Sequence, residues 1–226
     1  MPSLAARRMD ELNETLFSPQ PDWDLLAENL QFEFEDGLLD KPSFVSRISE
    51  FRDAMAASTF KDVVVLSAGE SVVYTVIHRY VGDVTRAMHV IGRVDADGRF
   101  FRFLDLAKML PMQQDDKGAL ALCRPLFEAT LDPSHPFPAD LVTDDCRFAV
   151  NSTFHDRASF IEALKTHAAR LAGKPLAISY EHELDLSHAA SVCGKVSLSE
   201  GALAFGISAR VRDGKVFTLQ AILVPI

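Results

Sequence analysis

"LLDKPSF" (residues 38–44) and "FHDRASF" (154–160) are two versions of one segment. Asp40 lies over Asp156, Lys41 over Arg157, Ser43 over Ser159 and Phe44 over Phe160, a shift of 116 residues (40 to 156) in a chain of 226. The shift keeps its register well beyond this stretch. "DLLAENLQFEFEDG" (24–37) falls on "DLVTDDCRFAVNST" (140–153), and "DADGRFF" (95–101) falls on "VRDGKVF" (211–217). Register held over that distance points to an internal duplication, and a period this long means two domains and not a solenoid. The boundaries expected are 1–112 and 113–226, joined by the polar stretch "PMQQDDKG" (111–118), whose Pro and Gly read as a linker.

Each half predicts the same elements. Asp40 and Asp156 suit helix N-caps, because a carboxylate oxygen accepts from the free amides of the first turn. After them, Phe44, Val45, Ile48, Phe51 and Met55, and Phe160, Ile161, Leu164 and Leu171, recur at helical spacing. Before each helix a short strand alternates, through Leu30, Phe32 and Phe34 and through Cys146, Phe148 and Val150. After each helix come four β-rich runs, with Asp97-Gly98 and Asp213-Gly214 as hairpin turns. Each half also opens with a helix, "LAARRMDELNETLF" or "KGALALCRPLFEATL". The expected class is α+β: two tandem cone-shaped domains, each a curved antiparallel sheet wrapped around helices.

Composition narrows the partners. The chain is 48% hydrophobic with a net charge of −9, so it can bury real cores and is not disordered. The charge is −6 over residues 1–112 (12 basic, 18 acidic) and −3 over the remainder (11 basic, 14 acidic). Neither half offers a basic face for a phosphate backbone, so a nucleic-acid partner is not expected. No apolar run reaches the roughly 18 residues of a membrane span, and "MPSLAARRMDEL" has no apolar core of a secretory signal. Cys123, Cys146 and Cys193, at no metal-like spacing, read as reduced core residues of a cytoplasmic protein.

The order of elements in "DLLAENLQFEFEDGLLDKPSFVSRI" with its later "DGRFFRF", and in "DLVTDDCRFAVNSTFHDRASFIEAL" with its later "DGKVFTL", resembles the nuclear transport factor 2 (NTF2)-like superfamily, which includes SnoaL-like cyclases and ketosteroid isomerases. The resemblance covers most of each half. It implies a conical cavity able to hold a small apolar or amphipathic molecule, and a dimer formed through the outer faces of the sheets. Here such a dimer would be written into one chain as an intramolecular pseudo-dimer. "FKDVVVLS" and "SVVYTVI", apolar on both strand faces, are compatible with sheets covered on both sides. Family members include isomerases, dehydratases, cyclases and non-catalytic binding proteins, and fold does not choose among them.

The isomerases of that family place a proton-shuttling carboxylate on the first strand. The matching positions here are Phe34 and Val150, and the position of the oxyanion-stabilising acid falls near Val90 and Gly206. None of these carries a carboxyl group. Glu33 and Glu35 lie next to the first position, on a parity that predicts solvent. The remaining polar candidates for ligand binding are Tyr74, His78 and Tyr80, which share one strand face, with His89 on the next strand. A His–Tyr pair can do acid–base work; the competing reading is amphipathic residues with their tips in water. No metal or phosphate-loop motif is present, and no cofactor is expected. Binding of a small molecule is therefore weighed against a non-catalytic structural or interaction module whose cones are filled by side chains, and against a cofactor-independent isomerase, dehydratase or cyclase.

Overall fold

The structure is a computed structural model, describing residues 2–16, 18–34, 37–55, 58–81, 84–106, 118–132, 134–170, 175–199 and 201–226. The chain divides into two compact units, 1–109 and 110–226. The expected linker lies outside the described residues apart from Gly118, as does Glu35.

The first unit opens with α1 (Leu4–Thr15), capped by Ser3, whose Oγ accepts from the Ala6 amide at 3.1 Å. A 3-10 turn at Trp23–Leu25 leads into β1 (Leu26–Phe34) and a three-residue return strand β2 (Gly37–Leu39). Helix α2 (Lys41–Met55) follows, then β3 (Thr59–Ala68), β4 (Val72–Val81), β5 (Val84–Val94) and β6 (Phe100–Asp105). The second unit repeats this as α3 (Ala119–Leu131), a 3-10 turn at Ala139–Leu141, β7 (Val142–Val150), β8 (Thr153–His155), α4 (Arg157–Arg170), β9 (Pro175–Asp185), β10 (Ala189–Leu198), β11 (Gly201–Arg212) and β12 (Lys215–Pro225). The N-caps are as expected: the Ser43 amide donates to Asp40 at 2.9 Å and the Ser159 amide to Asp156 at 2.8 Å.

The sheets are ordered β2-β1-β6-β5-β4-β3 and β8-β7-β12-β11-β10-β9. They are mixed, which corrects the expectation of a purely antiparallel sheet. β6 lies parallel to β1, and β12 parallel to β7. The cause is the helical crossover: α2 carries the chain to the far edge, and three hairpins bring it back beside β1 in the same direction. Each unit has its own core between helices and sheet. The first is built on Leu12, Phe32, Phe44, Ile48, Ile77 and Phe103, the second on Leu126, Phe127, Phe148, Phe160, Phe205 and Leu219.

The strand pairings refine the repeat. Val90 pairs with Asp105, and Ile207 with Ala221. The Val94 amide bonds the Ser71 carbonyl, as the Val211 amide bonds that of His188. So Asp105 corresponds to Ala221 at the uniform shift, while β4 and β5 correspond to β10 and β11 one residue further on. The counterpart of Val90 is therefore Ile207, not Gly206. The difference lies in the last hairpin. Asp213 and Gly214 both take positive φ, and Arg212 pairs directly with Lys215, making a two-residue turn. In the first unit Val94 pairs with Phe100 around a wider loop held by the Asp95 carboxylate, which accepts from the Asp97 and Arg99 amides.

Candidate functional site

The helix-covered side of the first sheet encloses a partly open cavity, about 50 Å³ of which is open to the centre of a water molecule. On that measure one water needs roughly 10–15 Å³, so the space suits a few waters or a molecule of a few heavy atoms. Helices α1 and α2 and the C-cap of α1 supply Met9, Leu12, Asn13, Leu16, Phe44 and Ile48. The sheet supplies Phe32, Phe60, Ile77, Met88 and Val90, and from β6 Phe103 and Asp105. The lining is apolar except for Asn13 and Asp105. Asp105, 6% exposed, is the carboxylate of that lining. Beside the wall, Asn13 Nδ2 lies 3.4 and 3.5 Å from the two oxygens of Asp62, which also accepts from Thr75 Oγ1 at 3.0 Å.

In the second unit larger side chains stand at the counterparts of several of these residues. Each opening helix is anchored by one backbone bond, Ala5 to Glu70 in the first unit and Ala119 to Leu186 in the second. Counting from that bond, Asn13 corresponds to Phe127, which is fully buried. The β-bulges correspond as well: Asp62 faces Ile77 in the first unit, and Tyr180 faces Gly194 in the second. Gly194 is required there, because a Cβ would stand 1.9 Å from the Ser179 carbonyl oxygen. Met88, paired with Ile77, corresponds to Phe205, paired with Gly194. Tyr180 packs edge-on to Phe205 at 5.8 Å, and the Arg124 guanidinium covers the Tyr180 ring at 4.4 Å. The Tyr180 ring thus packs against the second core. Asn13, Asp62, Met88 and Asp105 thus stand where the second unit has Phe127, Tyr180, Phe205 and Ala221.

The four residues singled out in the sequence lie elsewhere. Ile77, Met88 and Val90 line the cavity, so by strand alternation Tyr74, His78, Tyr80 and His89 lie on the opposite face of the sheet. The structure brings them together in pairs. The Tyr74 hydroxyl and His89 Nδ1 are 2.7 Å apart and both residues are buried; the His78 and Tyr80 rings meet edge-on at 6.2 Å and are half-buried. Glu33, on the same side, is also not in solvent. It is 1% exposed and ion-paired with Arg102, beside Arg93, whose guanidinium burial pushes down to about 10. Val150, the second-unit base position, is an apolar core residue; the Phe34 side chain lies outside the described residues. Of the groups in the cavity wall, sequence reasoning missed Asn13 and Asp105. The signal was available for Asp105: at the uniform shift its partner is Ala221, a charged residue over an apolar one in matched strands. No group of three or more potential metal-binding side chains occurs among the described residues.

No protein-family model and no curated protein matches the sequence. Solved structures do match, each over about half of the chain. A candidate ketosteroid isomerase from Kribbella flavida is 19% identical, covering 49% of this chain and 82% of that one with a TM-score of 0.40. An NTF2-like protein of unknown function from Cytophaga hutchinsonii is 7% identical over 49% and 94% of the two chains, TM-score 0.34. Another from Burkholderia xenovorans is 15% identical over 46% and 80%, TM-score 0.35. Among the described residues no helix is long and apolar enough to cross a membrane. In each half the order is helix, strand, helix and four-strand meander closing beside the first strand, and the chain is a tandem of two α+β units, each similar to the NTF2-like structures above.

Proposed function

We propose that the first unit binds a small, mainly apolar molecule in its helix-side cavity, and that the second unit is structural. The cavity of the first unit, with Asp105 in an otherwise apolar wall, carries the reading. Apolar walls supply affinity by removing surface from water, and the few polar groups fix orientation. The aromatic filling of the second cone by Phe127 and Phe205 supports the structural role of that half. Acid–base catalysis through Tyr74, His78, Tyr80 or His89 gains no support, since these residues are on the other face of the sheet from the cavity.

The test uses the residues of the second unit to close the first. Trp23 is the single tryptophan, and its ring meets Phe44, a wall residue, edge-on at 6.4 Å. A screen of small alcohols, ketones and amines should yield compounds that raise the melting temperature and change Trp23 fluorescence. Met88→Phe and Asn13→Phe, which place the counterparts Phe205 and Phe127 into the first cone, should abolish both responses while the protein stays folded. Ligands that bind these variants as well as the parent would refute the site.

A further inference from the structure

Resting on the cavity reading above, the shape of the lining narrows the ligand further. Exposure along it is graded. Asn13, Leu16, Phe60 and Met88 are half-buried, whereas Met9, Phe32, Val90 and Phe103 are buried. Strand register puts these residues in order. Phe60 lies nearest the end of β4, opposite Arg79; next comes the pair Ile77–Met88, then Val90–Asp105, then Gly92–Phe103. Met88 to Gly92 is four residues of β5, about 13 Å. The mouth is therefore at the Phe60 and Met88 end, beside the last turn of α1, and the floor lies at Gly92. A Cβ on Gly92 would stand 2.8 Å from Met9 Cε, and 2.7 and 3.1 Å from ring carbons of Phe100 and Phe103. The end of the Met9 side chain thus rests on the sheet in the space that Gly92 leaves. The second unit reverses the choice. Counted from the same pairings, Ala209 stands for Gly92 and the shorter Cys123 for Met9, and both are fully buried.

We propose that this cavity takes the end of a short unbranched alkyl chain, entering past Phe60 and Met88, with Met9 as the stop that sets its length. About 50 Å³ spread along that depth is a slender space. At roughly 10–15 Å³ for each water-sized group it holds about three to five of them, and a methylene is of that size. A straight chain threads such a space in staggered rotamers, while a branched body meets the walls. The polar end of the molecule stays at the mouth, in reach of Asn13 and of water. Asp105 is already engaged within the protein, so the ligand need bring no charge to it.

Straight-chain primary alcohols from ethanol to octanol are titrated into the full chain, with Trp23 fluorescence and ¹³C-methyl shifts of Met9 and Met88 as readouts. Affinity should rise about fourfold per added methylene, the value of its transfer from water. The rise should end at about four or five carbons, where the space is full. The Met88 methyl should respond from ethanol onward, and the Met9 methyl only near the end of the rise. The branched 2,2-dimethylpropan-1-ol, with the five carbons of pentanol, should bind at least about tenfold more weakly than pentanol. In Met9→Ala, which removes Cγ, Sδ and Cε, the rise should continue for about three more carbons. A rise unbroken to octanol in the parent, the branched alcohol bound as tightly as pentanol, or a Met9 methyl that answers ethanol as strongly as Met88 does, overturns the chain-end proposal while the cavity site stands. So does an unmoved end point in a folded Met9→Ala. If no alcohol moves either readout, both proposals fall. The two methyl signals of the parent chain decide the matter even should the variant fail to fold.

Discussion

Phe44 and Phe160 are counterparts, each packed against the counterpart phenylalanine of its first strand. The Phe32–Phe44 ring centroids are 4.5 Å apart, as are those of Phe148 and Phe160. Phe44 is 2% exposed and Phe160 0%, and Phe44 borders the first-unit cavity. Removing either ring takes roughly 150–250 Å² of aromatic surface out of the core. At ~25 cal/mol per Å² that is about 4–6 kcal/mol as an upper bound, in line with the roughly 3–5 kcal/mol usual for Phe→Ala. The two sites should divide that range. Phe160→Ala leaves a hole in a filled core and should cost about 4–5 kcal/mol, losing its stacked partner as well. Phe44 already lacks neighbours on the cavity side, so its dispersion contacts are fewer, and Phe44→Ala should cost about 3 kcal/mol. Equilibrium urea unfolding followed by far-UV circular dichroism measures both variants, with Trp23 fluorescence reporting the first unit. Equal costs, or a greater one for Phe44→Ala, would mean that the first cone is packed as tightly as the second.

Other consequences are separable. Burial pushes the Cys123 and Cys146 thiols up to about 12; thiol reagents at neutral pH should therefore leave them unmodified until the chain is unfolded, and fast labelling of the native protein would contradict the burial. Hydrogen bonds from Ser43 and Ser159 hold the Asp40 and Asp156 carboxyls below the ordinary aspartate range. Their folded pKa values are depressed, so the stabilisation is present above the ordinary value and lost as pH falls through the folded one. Asp40→Ala and Asp156→Ala should accordingly be less stable than the parent at neutral pH and converge with it in strong acid; a gap independent of pH would contradict the capping role. Glu33→Leu should cost about 3 kcal/mol or more, because it leaves the Arg93 and Arg102 guanidinium groups without that carboxylate; a neutral substitution would show the pair to be dispensable.

The duplication, both helix caps and the α+β class could be read from the sequence because they rest on local signals: repeated side chains, capping residues and alternation. The parallel contact of β1 with β6 could not, since it depends on where the meander returns after the crossover. The strands β2 and β8 are three residues each, too short to show a period. The sheet face that carries Tyr74, His78, Tyr80 and His89 was not legible for a related reason. Alternation groups Tyr74 with His78 and Tyr80, but it does not tell which face of a strand apolar on both faces meets the helices; Val73 and Val76 are both fully buried. An ungapped repeat likewise hid the extra residue of the loop after Val94, so Val90 was compared with Gly206 instead of Ile207. Asp105 was legible as a charged residue opposite Ala221, a comparison that needs no structure.

The central claim is one ligand site, in the first unit only. Methyl ¹³C-labelled Met and Ile place the reporters: Met9, Met88, Ile48 and Ile77 line the first cavity, and Ile178 and Ile207 belong to the second core or pack against it. Titration with any hit of the screen should shift the first four methyl signals along one saturating curve and leave Ile178 and Ile207 unmoved. Shifts of equal size in both sets, or in the second alone, would contradict the account.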